Sequence, residues 1–318
     1  MKKHISAFKI ILPAILACIL WSTAFAGAKI GLKYCPPLLF AGIRFSLSGI
    51  LILPFVILNS HKRKLEINNR ILGINIFTFK QWRIVLIVSF FQTFLLYTLY
   101  FYGISIVPAA IAAIVIGGGP LIISVTAHLL TPNDKMTRPK ISCILLGMTG
   151  IVVITLSRSP LADGGSYLQI IGILILLISC IAGGIGNILV SKYKSCIDPI
   201  TLTSFQMIFG GIMLFISSLI VDGTPKINIE PEFIFVLLWL CFVSATAFTI
   251  WFKLLQIRIV KVSELNILKF IIPVFGGIFS WIIIPNEHPT IIVIIGMAVT
   301  ASAVLMYNIY TKRTATKK

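Results

Sequence analysis

Ten apolar segments, each long enough to cross a bilayer as a helix, follow one another along the sequence. A membrane-spanning helix needs about 20 predominantly apolar residues, because the hydrocarbon core is about 30 Å thick. In hydrocarbon every backbone polar group must find a partner inside the protein, so segments of this length fold as helices. The sequence therefore predicts an all-α membrane protein. The ten expected transmembrane helices lie at 9–31, 37–58, 82–103, 108–130, 138–157, 167–190, 200–221, 232–252, 262–284 and 290–310.

The composition supports the same class. Hydrophobic residues make up 58% of the chain and charged residues only 11%, whereas a soluble domain carries roughly 25% charged residues. The formal net charge of +18 would suggest nucleic-acid binding in a soluble protein. Here the basic residues fall between apolar segments, and no continuous basic face with stacking aromatics can be drawn. We therefore expect a lipid bilayer around the chain and no nucleic-acid partner.

The basic residues are strongly biased to one side of the expected membrane. With the N-terminus in the cytoplasm, 21 of the 27 lysines and arginines lie inside, four lie outside, and Arg44 and Lys269 fall within spans. This bias predicts an inner-membrane protein with both termini in the cytoplasm. Ala24-Phe25-Ala26 resembles a signal-peptide cleavage site. The apolar run continues through Ile30, so we expect the first segment to be retained as a span.

One stretch is written twice. Val107–Asn133 reads VPAAIAAIVIGGGPLIISVTAHLLTPN, and Val260–Asn286 reads VKVSELNILKFIIPVFGGIFSWIIIPN. Each copy has a central proline, Pro120 or Pro273, followed twelve positions later by Pro-Asn and then an acidic residue. A proline inside a helix breaks it. Broken membrane helices at matching positions in two halves indicate the substrate site of a transporter.

The repeat extends beyond this stretch. A shift of 162 positions aligns Gly49 with Gly211, and a shift of 149 aligns Gly147 with Gly296. Each half then holds five spans, and because five is odd the second half enters the membrane from the opposite side. The sequence predicts two inverted five-helix repeats, related by a pseudo-two-fold axis in the membrane plane. The two expected units cover 1–160 and 161–318.

These motifs resemble the drug/metabolite transporter superfamily in its EamA-type branch. The resemblance rests on GGGPLIIS, TPND and LLGMTGIVVI in the first half, and on FIIPVFGGIFSW, PNEHP and IIGMAVTASAVL in the second. The openings ILWSTAFAGAKIGL and PPLLFAGIRFSLSGILILP look like the family's first two helices. The chain departs from the pattern at Asp134, where glutamate is usual. The resemblance implies a ten-helix inner-membrane carrier that exports amino acids, related metabolites or drugs, without a cofactor.

Lys269 is the most informative candidate residue, because it lies inside an expected span, four residues before Pro273. A charged side chain at membrane depth costs about 2.5–3.5 kcal/mol on insertion scales, so it should face a cavity or a partner. It either recognises an anionic group, such as a substrate carboxylate, or extends back to the cytoplasmic interface about 10 Å away. Both interpretations stay open on the sequence alone.

Polar, aromatic and glycine residues in four other spans complete the expected lining of a central cavity. Polar groups at membrane depth should face protein or water, where they either contact substrate or join helices. The expected hinges are Pro120 and Pro273. Arg44 is expected to make a structural ion pair or hydrogen bonds to carbonyl groups, with an anion contact or a gate pair as the alternative. Trp251 is expected in an interface belt. Besides Lys269, the expected substrate-binding residues are Trp21, Thr23, Tyr97, Tyr100, Gly118 and Asn187.

Sites for metals, cofactors or covalent catalysis are not expected. The six cysteines contain no CxxC pair, and the four histidines lack metal-ligand spacing. Gly117-Gly118-Gly119 is not followed by the Lys-Ser/Thr of a phosphate-binding loop. No carboxylate lies at the middle of a span, so a buried proton carrier is not evident, and H+ is only a candidate coupling ion.

We therefore expect a carrier, not an enzyme. It would export a small organic solute, such as an amino acid or a related compound, by alternating access. A multidrug exporter is the alternative, with an apolar, aromatic pocket from which Lys269 turns away. A non-transporting membrane protein of the same fold is a further alternative, since a fold alone does not determine function. Substrate, direction of transport and oligomeric state stay open.

Overall fold

The computed structural model describes residues 8–64, 78–107, 109–158, 167–221, 223, 227–283 and 290–316. Within these ranges the chain is helical and contains no strand. The helices are α1 (Phe8–Gly31), α2 (Pro37–Lys64), α3 (Phe79–Ser89), α4 (Leu96–Ile106), α5 (Ala109–Gly117), α6 (Gly119–Leu130), α7 (Arg138–Arg158), α8 (Tyr167–Lys192), α9 (Pro199–Val221), α10 (Pro231–Leu255), α11 (Val262–Ile267), α12 (Ile271–Ile283) and α13 (Ile291–Thr316).

Apolar length and composition identify the helices that suit a membrane. Six stretches in the described residues are long and apolar enough to cross it: Pro37–Asn59, Phe79–Ile106, Tyr167–Lys192, Pro199–Val221, Pro231–Leu255 and Val262–Phe279. Shorter apolar helices lie at Lys9–Ala24, Gly119–Leu130 and Ile291–Tyr307. Large apolar side chains such as Leu129, Ile220 and Phe235 are exposed on the outer faces, as expected where lipid is the solvent. The all-helical membrane class is confirmed, while the number of spans stays a prediction.

Both copies of the repeated stretch are interrupted at the middle, as the sequence predicted. In the first copy α5 ends at Gly117, and α6 begins at Gly119 with Pro120 in its first turn. A proline there is tolerated, because the first N–H groups of a helix have no intrahelical partner. In the second copy a 3₁₀ turn, Leu268–Phe270, separates α11 from α12, and Pro273 lies in the first turn of α12.

A π-helical stretch, Phe90–Leu95, joins α3 to α4 and was not predicted. It places the buried Gln92 and Thr93 against neighbouring helices. Thr93 Oγ1 donates to Gln206 Oε1 at 2.6 Å, and a methyl group added at Gly186 would lie 2.2 Å from Gln92 Oε1. Single π turns inside α-helices often occur at functional sites. Here the stretch directs two polar side chains into the bundle.

Two helix crossings bring backbones into direct contact, α2 with α9 and α7 with α13. A methyl group added at Gly211 would lie 2.5 Å from Ser46 N, and one added at Gly150 would lie 2.6 Å from Gly296 O. These separations are shorter than any real Cβ contact, so only glycine fits at the crossings. Small residues allow membrane helices to approach closely, with van der Waals packing as the main stabilising contribution.

Candidate functional site

The ammonium group of Lys269 points into the helix bundle. The residue lies in the 3₁₀ turn ahead of α12. Its Nζ is 4.7 Å from the ring centroid of Trp251 and 5.4 Å from that of Trp21. Both distances are within the range of a cation–π interaction. The alternative in which Lys269 extends back to the membrane interface does not describe this conformation.

The two tryptophans belong to a larger aromatic cluster, formed by Trp21, Phe45, Tyr97, Phe248 and Trp251. Trp21 packs edge-on against Trp251 and Phe248, with ring centroids 5.1 and 5.2 Å apart. Phe45 continues the cluster, at 6.2 Å from Phe248 and 4.5 Å from Tyr97. These are the separations that aromatic pairs prefer. The cluster therefore joins α1, α2, α4 and α10 in the interior.

The interface-belt prediction for Trp251 is wrong. Its side chain is 0% exposed and packs in the core. A tryptophan near the end of a long apolar helix matches the belt pattern in sequence. Its burial depends on partners in other helical segments, namely Trp21 and Lys269, which the pattern does not contain.

Arg44 lies on the other side of the aromatic cluster. It is 9% exposed, its Nε donates to Ser244 Oγ at 2.8 Å, and its Cζ is 4.9 Å from the Phe45 ring centroid. The ion pairs of the described residues involve other lysines, so neither Arg44 nor Lys269 has a carboxylate partner there. Arg44 therefore makes its hydrogen bond to the hydroxyl of Ser244, whereas the sequence predicted an ion pair or hydrogen bonds to carbonyl groups.

The remaining sequence candidates divide into two groups. Tyr97 is part of the aromatic cluster, and Tyr100 adjoins it, with ring centroids 6.3 Å apart. Thr23 joins two helices instead, because its Oγ1 accepts from Trp239 Nε1 at 3.2 Å and donates to the Leu20 carbonyl. Trp21, Tyr97 and Lys269 are thus brought to one region, while the hydroxyl of Thr23 is used in helix packing.

Asn187 and Gly118 also make helix-to-helix contacts. Asn187 is buried, and its Nδ2 donates to Asn266 Oδ1 at 3.3 Å, which links α8 to α11. A methyl group added at Gly118 would lie 3.1 Å from Met148 Cε, so this glycine faces α7. Their substrate-binding roles stay predictions.

A buried charged cluster, formed by Asp134, Lys140, Ser263 and Glu264, connects the α6–α7 connection with the start of α11. Lys140 Nζ donates to Asp134 Oδ1 at 3.0 Å and to Ser263 Oγ at 2.7 Å. Asp134 Oδ2 accepts from the Ser263 backbone N at 2.9 Å, and its Oδ1 accepts from the Ser263 hydroxyl. Glu264 Oε1 lies 3.5 Å from Lys140 Nζ and from Lys261 Nζ. The acidic residue after Pro-Asn was the sequence signal for this cluster, but its partners were not foreseen.

A second polar contact joins the α1–α2 connection to the start of α10. The Tyr34 hydroxyl donates to the Glu232 carboxylate, and Asn228 N donates to the Tyr34 carbonyl at 3.1 Å. The hydrogen bond to Glu232 raises the pKa of Tyr34 to about 12, and burial and the charges of Glu232 and Glu230 add to the effect. This contact holds the two connections together at one end of the bundle.

An apolar groove of about 430 Å³ between α6 and α8 lies apart from the aromatic cluster. Its lining is almost entirely aliphatic and includes the exposed Leu129 and Leu130, so it suits a lipid chain better than a polar solute. In the described part of the chain no group of three or more His, Cys, Asp or Glu side chains could hold a metal ion. The candidate site in the described residues is therefore the aromatic cluster with Lys269 and Arg44 beside it.

Comparison with known proteins decides the family. The model of the EamA-like transporter family matches residues 8–156 and 170–309. The chain belongs to this family. It is therefore a multi-pass membrane transporter and not an enzyme.

Individual relatives agree with this assignment. The chain is 26% identical over 295 residues to an uncharacterized transporter, YvbV, of Bacillus subtilis (strain 168), covering 92% of this chain and 90% of the relative. It is 26% identical to a protein of Escherichia coli (strain K12) named "probable amino-acid metabolite efflux pump", with 83% of each chain covered. A protein of known crystal structure superposes with a TM-score of 0.76 at 18% identity, covering 97% of this chain and 99% of that one. That likeness concerns the fold alone.

Proposed function

We propose that this transporter exports a small organic solute, an amino acid or a related compound, across the inner membrane by alternating access. The observation that carries the proposal is the ammonium group of Lys269, held over Trp21 and Trp251 inside the bundle. A cation at this depth should face a cavity or a partner. A carboxylate group of the substrate would supply such a partner. The printed name of the E. coli relative is consistent with a solute of this kind.

The helix packing supports two inverted five-helix units, 1–160 and 161–318. In the predicted repeat α2 corresponds to α9 and α7 to α13, and these two pairs make the most extensive helix contacts among the described residues. The other contacts are also reciprocal. In the first unit α1 packs on α10 and α12, and in the second the equivalent α8 packs on α4 and α6. A pseudo-two-fold axis produces this pattern. The two ranges matched by the family model fall one in each unit.

Contacts between connections support ten spans with cytoplasmic termini. The α1–α2 connection and the start of α10, both expected outside, meet at Tyr34 and Glu232. Two pairs expected inside also meet: Asp134 with Ser263, and Gln81 Nε2 with the Cys196 carbonyl at 2.8 Å. Single cysteines introduced at Lys33 and Lys194 test the arrangement. In whole cells a membrane-impermeant maleimide should label the first and not the second.

Movement is expected at the two interruptions. Pro120 and Pro273 lie in the first helical turn after each interruption, and a helix without continuous hydrogen bonding bends there at low energetic cost. Rocking of the helices around the aromatic cluster would open it to one side at a time. The proton stays the candidate coupling ion.

Counterflow in proteoliposomes tests the proposal. Proteoliposomes that contain the purified protein are supplied with a panel of amino acids, with and without a pH gradient across their membrane. Lys269→Gln removes the charge and should reduce carboxylate transport at least about tenfold, the effect of one charge-assisted hydrogen bond. Lys192→Gln is the matched control, because Lys192 is an exposed lysine 5.8 Å from the Tyr193 ring. Normal transport by both Lys269→Gln and Lys269→Ala would contradict the proposed role.

The aromatic cluster also favours a second candidate, a multidrug exporter. The faces and edges of aromatic rings can contact flat apolar molecules of many shapes, but the charge of Lys269 disfavours cationic drugs. Ethidium efflux from cells separates the two functions. Two results together would favour the drug exporter: Lys269→Gln increases ethidium efflux, and the protein shows no amino-acid counterflow.

A further inference from the structure

Arg44 and Lys269 are cations inside the bundle whose charge the described residues do not neutralise. The five carboxylates in the described part of the chain lie in connections or in the first turn of a helix: Asp134, Asp198, Glu230, Glu232 and Glu264. The ion pairs there are made by Lys140 and Lys261. An uncompensated charge at membrane depth is strongly unfavourable. A ligand that brings negative charge would remove this penalty.

Both side chains keep hydrogen-bond donors available. An arginine has five N–H donors and a lysine ammonium has three. Arg44 donates through Nε to Ser244, which leaves the donors of its two terminal nitrogens. Lys269 is partly exposed and is held by the faces of two tryptophan rings rather than by acceptors in the described residues. Each can therefore bind an acidic group by charge-assisted hydrogen bonds.

The two cations lie at opposite ends of the aromatic cluster. Lys269 contacts Trp21 and Trp251, and Arg44 contacts Phe45, with Phe248 between them. Each is seven residues from the start of its helical stretch, at Pro37 or Val262, which is about 10 Å at 1.5 Å per residue. In the proposed orientation these starts are on opposite faces of a core about 30 Å thick. The contacts of the charged groups give their separation: Ser244, which Arg44 contacts, and Trp251, which Lys269 contacts, are seven residues apart on α10, which places roughly 10 Å between the two cations along this helix.

A zwitterion with a single carboxylate would neutralise only one of the two cations. Its ammonium group needs a carboxylate or a free aromatic face, and the described interior offers no carboxylate. The faces of Trp21 and Trp251 already hold the ammonium of Lys269. A cation would be repelled by both basic groups. The electrostatics thus favour a solute with net negative charge.

We propose that Arg44 is a second substrate-binding residue, and that the transported solute carries two carboxylates, one for Arg44 and one for Lys269. With hydrogen bonds of about 2.8 Å at each end, roughly 10 Å between the cations fits carboxylates about 5 Å apart. A short dicarboxylate or an acidic amino acid has this size. The inference rests on the proposed function, because it names the substrate class of that site.

Equilibrium dialysis of the purified full-length chain tests the inference directly. The probe is radiolabelled succinate, and the competitors are monomethyl succinate, glutamate, leucine and inorganic phosphate at constant ionic strength. Succinate should bind at least about tenfold more tightly than its monomethyl ester, which lacks one charge. Arg44→Gln should abolish this preference, Arg44→Lys should retain part of it, and the control Lys192→Gln should leave it unchanged.

Several results would overturn the inference. The inference is wrong if leucine or phosphate displaces succinate with the same affinity as glutamate. It is also wrong if Arg44→Gln retains the preference for succinate over its monomethyl ester. The comparison of succinate with its ester needs no variant, so it holds even if Arg44→Gln fails to fold. Counterflow of leucine without succinate binding would leave the proposed function standing and refute the substrate class. Succinate binding without counterflow of any solute would refute the proposed function alone.

Discussion

An isosteric substitution of Asp134, which lies in the buried charged cluster, should have a large effect on stability. Its side chain is 2% exposed, and that of its partner Lys140 is 4% exposed. Asp134→Asn preserves the size of the side chain and removes its charge. Among the described residues, Lys140 then keeps Glu264, at 3.5 Å, as its one anionic neighbour.

The expected loss of stability follows from the burial of the pair. Removing one partner of a buried ion pair costs about 3–5 kcal/mol, because the other charge is left uncompensated. Glu264 is 30% exposed and provides part of the compensation, so we expect about 3 kcal/mol. The chain contains five tryptophans, whose fluorescence can follow unfolding in mixed micelles as the fraction of dodecyl sulfate rises.

Lys261 provides the matched control. Its ammonium group lies at the same 3.5 Å from Glu264, but its side chain is 46% exposed. An exposed pair contributes about 0–1 kcal/mol, so Lys261→Gln should change the free energy of unfolding by no more than that. Asp134→Asn combined with Lys140→Met should be less destabilising than the two single substitutions added together. Equal, small effects of Asp134→Asn and Lys261→Gln would refute the reasoning.

Three other positions provide further predictions. Gly150→Val should lower the unfolding free energy by about 1–3 kcal/mol, because its Cβ would meet Thr300 Oγ1 at 2.2 Å. The control is Gly119→Ala, where the atom nearest to the added Cβ is 3.7 Å away. Equal losses of stability for the two variants in the same micelle titration would contradict the packing argument. Trp251→Leu removes one of the two rings under the ammonium and should raise the counterflow KM severalfold, a loss of about 1 kcal/mol; an unchanged KM would contradict this. Pro120→Ala should restore a continuous helix and slow counterflow without loss of stability; an unchanged rate would exclude a hinge there.

The helices and their interruptions were largely predictable, because each depends on local sequence. Apolar runs determine where helices occur, and Pro120 and Pro273 mark the breaks. The π-helical stretch Phe90–Leu95 was missed, since its residues carry no breaker and its geometry depends on packing against α8 and α9.

The site was predictable only in part, for a related reason. Lys269 stands out because a charge in an apolar segment is unusual. The contacts of Lys269 with Trp251 and of Arg44 with Ser244 join residues of different helical segments. Such contacts are set by the tertiary arrangement of helices, which no local pattern contains.

The glycine crossings have a consequence for how the sequence can change over time. At the α2–α9 crossing, Gly49 and Gly211 face the backbone of the opposite helix, near Ser204 and Ser46. A larger residue on one side could be accepted only if the other helix moved, and that helix belongs to the other half of the chain. The two halves are therefore not free to diverge independently at these positions. In an alignment of relatives, the sizes of the residues at positions 49 and 211 should vary together. The lipid-facing residues of α2 and α9 should vary independently of them.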